Sequence, residues 1–358
     1  MSRTYKATGI NLKGMPIGES DRLLTVLTRE FGLIRAVAPG ARKHESSLRG
    51  RSGLFVVNQL LIAKGRNLDK IIQAESVDAY TGLSQDLRKL TAGQYLAELV
   101  LHQALSHQPQ EDLFALFNEQ LRWLEQLPAS AILPYLSYAM FRLLALAGVA
   151  PQVHECCVTQ QTISPNVLDL NWQAGFHPAL GGVVTIEALE RLKAQPSPSE
   201  SPTQAGDYGQ IISHFQDLAE NGEENVDAIA SRSPAFRRGR ESPTLIKGRS
   251  VAPLASEVSD KKSGYRVRPN RQNFSELGVP ITALELAVLQ QLPEANLIQP
   301  DGSLSWSLTL EKALPFEVWI SVERILRQYA QYHFDRSIQS AALVDTCFSA
   351  SSYSSLVN

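Results

Sequence analysis

The sequence predicts an α+β protein of several domains: a small β-barrel or sandwich, followed by a helical domain that a long disordered insertion interrupts. Three observations lead to this prediction. Residues 4–78 contain five short apolar or alternating runs separated by turn residues, which is typical of a small all-β unit. From about residue 84, apolar residues recur at helical spacing. Residues 195–275 are rich in Pro, Ser and charge, a composition typical of disorder.

The β-unit is predicted to contain five strands. In the first, Thr8, Ile10 and Leu12 fall on one face at period two. A tight turn at Phe31-Gly32 joins the second strand to the third, and a longer Gly/Ser/Arg-rich loop (39–53) joins the third to the fourth. The predicted strands are residues 5–12, 21–28, 33–38, 54–63 and 69–77.

Helices are predicted wherever the apolar period is close to 3.6. Ser84 is a candidate N-cap for the first helix, and Gly148 followed by Pro151 is an ordinary stop for the third. Thr282 and Glu285 have the spacing of a capping box. The predicted helices are residues 83–105, 111–127, 132–149, a segment from 283 and a last helix at 315–333.

These elements define the expected domains. The barrel domain is 1–80, and the helical domain is 81–194 together with 276–345, including an irregular segment at 152–188. The disordered insertion is 195–275, and a flexible tail follows at 346–358.

Composition points to the cytoplasm. The N-terminus has no apolar signal-peptide core, and no apolar run approaches the ~18 residues of a membrane span. Three Cys in 358 residues exclude a disulfide scaffold and suit a reducing compartment.

The positive charge is concentrated near the N-terminus. Residues 1–80 contain thirteen Lys/Arg and seven Asp/Glu, whereas the whole chain has a net charge of −2. Such a segregated charge favours a polyanionic partner, although a solvated basic loop is the alternative for any single residue. Because aromatic residues are sparse here, we expect contacts with phosphates more than base stacking. The candidate phosphate-binding residues are Arg35, Arg42, Lys43, Arg49, Arg51, Lys64 and Arg66.

A second cluster, His154, Cys156, Cys157 and His177, contains residue types that ligate zinc. A structural site usually needs a Cys-x-x-Cys knuckle and a second ligand pair, and both are missing. The pattern therefore favours two half-buried thiols, and we predict no metal and no cofactor.

Motifs for catalysis are absent from the sequence. It has no phosphate-binding Gly-x-x-x-x-Gly-Lys loop, no Gly-x-Ser-x-Gly elbow and no zinc-deaminase signature, so we expect a protein that is not an enzyme. Arg122 and Arg142 lie inside apolar helix patterns, where each could hold the carboxylate of an acidic, hydrophobic peptide. The alternative for both is a snorkelling arginine or a helix-face ion pair.

Three short motifs have an order and spacing that resemble the N-terminus of the RecO family of bacterial recombination mediators and DNA-repair proteins. They are Gly18–Arg22, Thr28–Gly32 and Gly40–Arg42. A looser resemblance continues over about 1–190 and 278–345, including Arg142–Leu144 and Tyr329–Ser340.

The resemblance implies an N-terminal OB-fold barrel and a helical domain that a zinc knuckle often interrupts. It implies binding of single- and double-stranded DNA and annealing of complementary strands. The implied partners are the C-terminal tail of single-strand-binding protein and RecR, and indirectly RecA, which the family helps to load; no membrane is involved.

Two departures from the family pattern stand out. Of the four positions that resemble the family's zinc ligands, only Cys156 retains a Cys, while Thr159, Thr185 and Ala188 occupy the others. We therefore predict a degenerate knuckle that has lost zinc. The second departure is the insertion, whose basic part (232–271) is a second DNA contact or a solvated linker.

Two other functions remain compatible with a basic barrel. Phosphate contacts do not distinguish RNA from DNA, so an RNA-binding module is one alternative. The other is a protein-only scaffold whose barrel binds an acidic partner.

Overall fold

The computed structural model describes residues 4–194, 278–293 and 314–349. The predicted disordered insertion and residues 350–358 of the predicted tail lie outside these ranges. The described barrel and helices belong to one compact unit.

The N-terminal domain is a five-stranded sheet in which every strand pairs with two neighbours, so that it closes on itself in the order β1-β2-β3-β5-β4. The parallel pairing of β3 with β5 completes the ring, and the other pairings are antiparallel. Small and β-branched residues such as Val26, Ile34 and Ile62 fill the interior. The strands are β1 Thr4–Ile17, β2 Asp21–Thr28, β3 Gly32–Ala38, β4 Val56–Ala63 and β5 Asp69–Ala79.

All five predicted strands are present, and β1 extends five residues beyond its predicted end. The extension pairs with β2, from Lys13 opposite Thr25 to Ile17 opposite Asp21. Gly14 and Pro16 lower its strand propensity, but cross-strand pairing overrides that local preference.

The connection between β3 and β4, residues 39–55, is called the basic loop below. It contains a one-turn helix, α1 (Leu48–Arg51), which the sequence did not predict. Two buried asparagines fix it to the barrel. Asn11 Nδ2 donates to the carbonyls of Arg51 and Gly53, each at 2.8 Å, and Asn58 Nδ2 donates to that of Arg51 at 2.9 Å. The loop backbone is therefore fixed even though three of its four cations are exposed.

The second domain contains the five predicted helices in the predicted order, together with two others. They are α2 Leu87–Gln103, α3 Glu111–Gln126, α4 Ile132–Leu146, α5 Ile186–Ala194, α6 Ala283–Gln291, α7 Phe316–Phe334 and α8 Ala341–Cys347, of which the sequence did not predict α5 and α8. The predicted capping box of α6 is confirmed, since Glu285 N donates to Thr282 Oγ1 at 3.3 Å and Thr282 N donates to Glu285 Oε2 at 2.7 Å. The prediction of Ser84 as a cap is wrong: Ser84 lies in a 3-10 turn, and Asp86 accepts from Arg88 N at 2.8 Å.

Helix α4 is the centre of the helical domain and packs against α2, α3 and α7. The stretch Ala129–Leu146 is long and apolar enough to cross a membrane, but 67% of it is buried inside the protein. Burial by neighbouring helices accounts for its apolar composition.

A small antiparallel sheet, which the sequence did not predict, joins distant parts of the chain. It has the order β7-β6-β8, with β6 Gln173–His177, β7 Gly182–Val184 and β8 Val279–Thr282. β8 is only four residues long and follows β7 by almost a hundred residues, so no local pattern connects the two.

Gly32 fixes the barrel against the helical domain. It has φ +63, and a Cβ built there would lie 2.1 Å from the Leu105 carbonyl oxygen. The neighbouring Leu33 N donates to that oxygen at 2.8 Å, and Gln110 N donates to the Arg29 carbonyl at 3.0 Å. Only glycine combines this backbone conformation with such a close approach.

Candidate nucleic-acid interface

The predicted phosphate-binding residues lie on one part of the barrel. Arg35 is exposed on the outer side of β3; Arg42, Lys43, Arg49 and Arg51 belong to the basic loop. The other two, Lys64 and Arg66, are exposed in the turn between β4 and β5. Because β5 pairs with β3 directly after this turn, with Ala36 opposite Asp69, the turn and the loop are attached to adjacent strands.

None of these seven side chains lies within ion-pair distance of a carboxylate among the described residues. Two of them donate to backbone carbonyls: Arg42 Nη1 to Gly18 at 3.1 Å and Arg51 Nη1 to Ser47 at 2.8 Å. A concentration of unneutralised cations produces a positive potential that attracts polyanions.

Asp21 is an acidic group within this surface. The Gly40 amide, which donates to Asp21 Oδ1 at 2.8 Å, is the main cause of its lowered pKa, followed by the Ser20 hydroxyl and by the charges of Lys70 and Lys43. Asp21 therefore holds the basic loop against the hairpin formed by β1 and β2, and it stays ionised. Lys70 is not one of the predicted residues; the parallel β3–β5 register, which no local pattern reveals, brings it next to Val37.

Lys13 is a second cation outside the predicted set. Lys13 lies opposite Thr25, which lies opposite Arg35 on β3. Residues opposite one another in a sheet project from the same face, so Lys13 and Arg35 share the outer surface of the barrel.

Aromatic side chains contribute little to this surface. Phe55 and Tyr80 are buried, and the rings of Tyr5 and Phe31 pack edge to face with centroids 4.8 Å apart. The candidate interface is therefore cationic, with few aromatic groups for stacking.

Arg122 and Arg142, the candidate peptide-binding residues, both have acidic neighbours. Arg142 Nη1 donates to Glu119 Oε1 at 2.9 Å and lies 5.6 Å from the centroid of the Tyr138 ring. Arg122 is 4.0 Å from Asp78 and is 59% exposed. A peptide carboxylate at either position would compete with an existing partner.

The residues of the degenerate knuckle do not fit a zinc ion. Among the described residues, no group of three or more His, Cys, Asp and Glu is placed to hold a metal. Cys156 Sγ instead accepts backbone N–H bonds from Thr159 at 3.4 Å and Thr185 at 3.3 Å. Burial raises the pKa of Cys156, but hydrogen bonds from the Thr159 side chain and from the amides of Thr159, Thr185 and Val158 outweigh burial and lower it overall. Burial raises the pKa of Cys157 to about 11. The Cys156 sulfur thus connects the backbone at Thr159 with the backbone at Thr185.

Comparison with known proteins agrees with this architecture. Residues 1–80 match the family described as Recombination protein O N terminal, and residues 84–199 match Recombination protein O C terminal. Similar proteins include the DNA repair protein RecO of Nostoc punctiforme, 46% identical over 98% of both chains, and that of a Nostoc species, 44% identical over 98% of both. The DNA repair protein RecO of Gloeothece citriformis is 44% identical over 97% of this chain and 98% of its own.

The fold and the candidate surface define a class of protein in which an OB-fold barrel with a cationic surface is joined to a helical domain. The matches to both domains and to full-length relatives identify the family within this class. The chain belongs to the RecO family of DNA repair proteins.

Proposed function

We propose that this protein is a non-enzymatic recombination mediator that binds single- and double-stranded DNA and anneals complementary strands. The observation that carries this proposal is the group of seven barrel cations, six exposed and Arg51 half-buried, that have no carboxylate partner among the described residues. Family membership supports a role in DNA repair.

Charge neutralisation is the physical basis of the proposed annealing. Two strands repel each other through their phosphates, and a protein that neutralises phosphates on both lets them approach. Binding through phosphates is largely independent of sequence, as a protein that pairs any two complementary strands requires.

The proposal extends to partners and location in the cell. We propose that the protein acts in the cytoplasm on DNA coated by single-strand-binding protein, contacts the C-terminal tail of that protein and RecR, and thereby helps to load RecA. Arg122 and Arg142 are the proposed contacts for the tail; Arg122→Ala should weaken binding of a tail peptide without changing DNA binding.

The test is the rate at which two complementary DNA strands anneal, first naked and then coated with single-strand-binding protein. Acceleration in both states is expected. The variant Lys43→Gln/Arg49→Gln/Arg66→Gln should lose most of it, because these exposed side chains have no side-chain partner among the described residues, and their loss should leave the fold intact. Absence of acceleration by the native protein at low salt would refute the proposal.

RNA binding is tested in the same system. Matched DNA and RNA oligonucleotides compete for the protein; preference for RNA would favour the RNA-binding alternative. Absence of affinity for either would favour the scaffold.

A further inference from the structure

Four aliphatic residues form a strip on the outer face of the barrel, beside the cations. Met15 lies opposite Leu23, Leu23 lies opposite Val37, and Ile17 follows Met15 at period two on β1. Residues opposite one another in a sheet project from the same face, as do residues i and i+2 of one strand. We call Met15, Ile17, Leu23 and Val37 the aliphatic strip.

The strip faces outward. A Cβ built on Gly14 would lie 3.3 Å from Leu24 Cδ2 in the barrel interior, which places the flanking Lys13 and Met15 on the opposite side. Met15, Ile17 and Val37 belong to neither hydrophobic core, whereas Leu23 is buried, with only 8% of its surface exposed. Met15 is 45% exposed and Ile17 is 37% exposed. An apolar surface that does not serve the core is a candidate for binding.

The strip is held in place by the basic loop. Arg42 Nη1 donates to the carbonyl of Gly18 at the tip of the β1–β2 hairpin, and Arg42 N donates to the carbonyl of Ser20 at 2.8 Å. The Gly40 amide bonds to Asp21 on the same hairpin. The apolar surface and the loop cations are therefore parts of one surface with fixed spacing.

Cations also border the strip within the sheet. Lys13 and Arg35 lie on the adjacent row, and Lys70 lies beside Val37. Asp21 and the exposed Glu19 are the acidic residues at this end of the hairpin, and Asp21 is already bound by Gly40. The combination of an apolar strip with flanking cations matches a ligand that has apolar faces along an anionic backbone.

We infer that the aliphatic strip contacts unpaired nucleobases and that it distinguishes single strands from duplexes. This inference rests on the proposed function, because it assigns a ligand to the same surface. Bases of a single strand can turn toward the sheet while their phosphates meet the cations. In a duplex the base faces are stacked inside, so only the phosphate contacts remain. The polarizable, unbranched Met15 adapts to any base and gives no sequence preference.

The experiment compares the native protein with Met15→Ser/Ile17→Ser. Both residues are exposed and outside the cores, so the fold should be retained. The ligands are a single strand, a duplex of the same length and an abasic strand with the same number of phosphates. Affinity for the single strand should fall about tenfold, while affinities for the duplex and the abasic strand stay within about twofold.

A matched control removes two aliphatic side chains elsewhere. Leu168 and Leu170 are 90% and 95% exposed on a loop of the helical domain, and Leu168→Ser/Leu170→Ser should leave all three affinities unchanged. Equal weakening on single strand and duplex by the strip variant, or no weakening at all, would overturn the inference. So would a change in oligomeric state caused by the strip variant, because it would assign the strip to contact between copies.

A variant that removes cations tests the proposed function independently of the aliphatic strip. Lys43→Gln/Arg49→Gln/Arg66→Gln should weaken binding of all three ligands. If this variant changes none of them, the phosphate-binding proposal fails, whatever the strip variant does.

Discussion

The salt dependence of DNA binding provides a quantitative test of the cationic surface. Each phosphate that is neutralised on a single strand contributes about 0.7 to the slope of log K against log salt. Counting only the seven predicted cations, their contribution to the slope is about −5, or about a thousandfold loss between 50 and 200 mM salt. The variant Lys43→Gln/Arg49→Gln/Arg66→Gln retains four, which gives a slope near −3 and only about a fiftyfold loss.

The assay is fluorescence anisotropy of a labelled single strand at several salt concentrations. A control variant, Arg122→Ala/Arg191→Ala/Arg324→Ala, removes the same charge from the helical domain. Arg122 and Arg324 are each 59% exposed and within 4.0 Å of an aspartate, so their loss should leave the slope nearly unchanged. An unaltered slope in the barrel variant, or equal flattening in both, would refute the assignment of phosphate contacts to these loops.

Four further predictions concern stability, measured by urea unfolding. Gly32→Ala should lower the free energy of unfolding by about 3 kcal/mol, because the new Cβ meets the Leu105 carbonyl at positive φ; a neutral effect would contradict the close approach. Cys156→Ala should lower the free energy of unfolding by about 2 kcal/mol, because it leaves two amide donors without acceptors, and Cys157→Ala should lower it clearly less. A chelator should leave the urea midpoint of the native protein unchanged; a midpoint lowered by the chelator would indicate a bound metal. Arg327→Ala should cost about 3–5 kcal/mol, because Arg327 bonds Asp345 at 2.8 and 2.9 Å and is the partner of buried Glu323. Burial raises the pKa of Glu323 above its ordinary 4.5. The unfolded state therefore loses this proton at a lower pH than the native state, and the free energy of unfolding falls as pH rises from 4.5 through the native pKa. Glu323→Gln should flatten this decline, and an unchanged pH profile would contradict the prediction.

Much of the architecture could be predicted because its signals are local. Turn residues separate the strands of the barrel, and the capping box at Thr282 and Glu285 depends on two residues three apart. The cap of α2 was misassigned because Ser84 and Asp86 are both good caps. Only the extended backbone at Asp86, with φ −124 and ψ 120, distinguishes them.

What the sequence did not reveal depends on contacts between distant residues. The sheet formed by β6, β7 and β8 requires pairing of Gln173 with Thr282 across the insertion. Lys13 and Lys70 join the candidate surface only through strand register, and Met15 and Ile17 are ordinary apolar residues until the register places them outside the barrel. The cation cluster was visible because it is contiguous in the chain, whereas the apolar surface beside it is not.

The division of the helical domain around the insertion has a consequence for synthesis on the ribosome. The barrel has its own core, and all five of its strands are made within the first 79 residues. The helical domain needs β8 to complete its sheet and α7, which ends at Phe334, to cover α4. At bacterial elongation rates, the interval between synthesis of the last barrel strand and synthesis of α7 is on the order of tens of seconds. During that time the apolar faces of α2–α4 lack their final cover, so chaperone dependence should belong to the helical domain and not to the barrel.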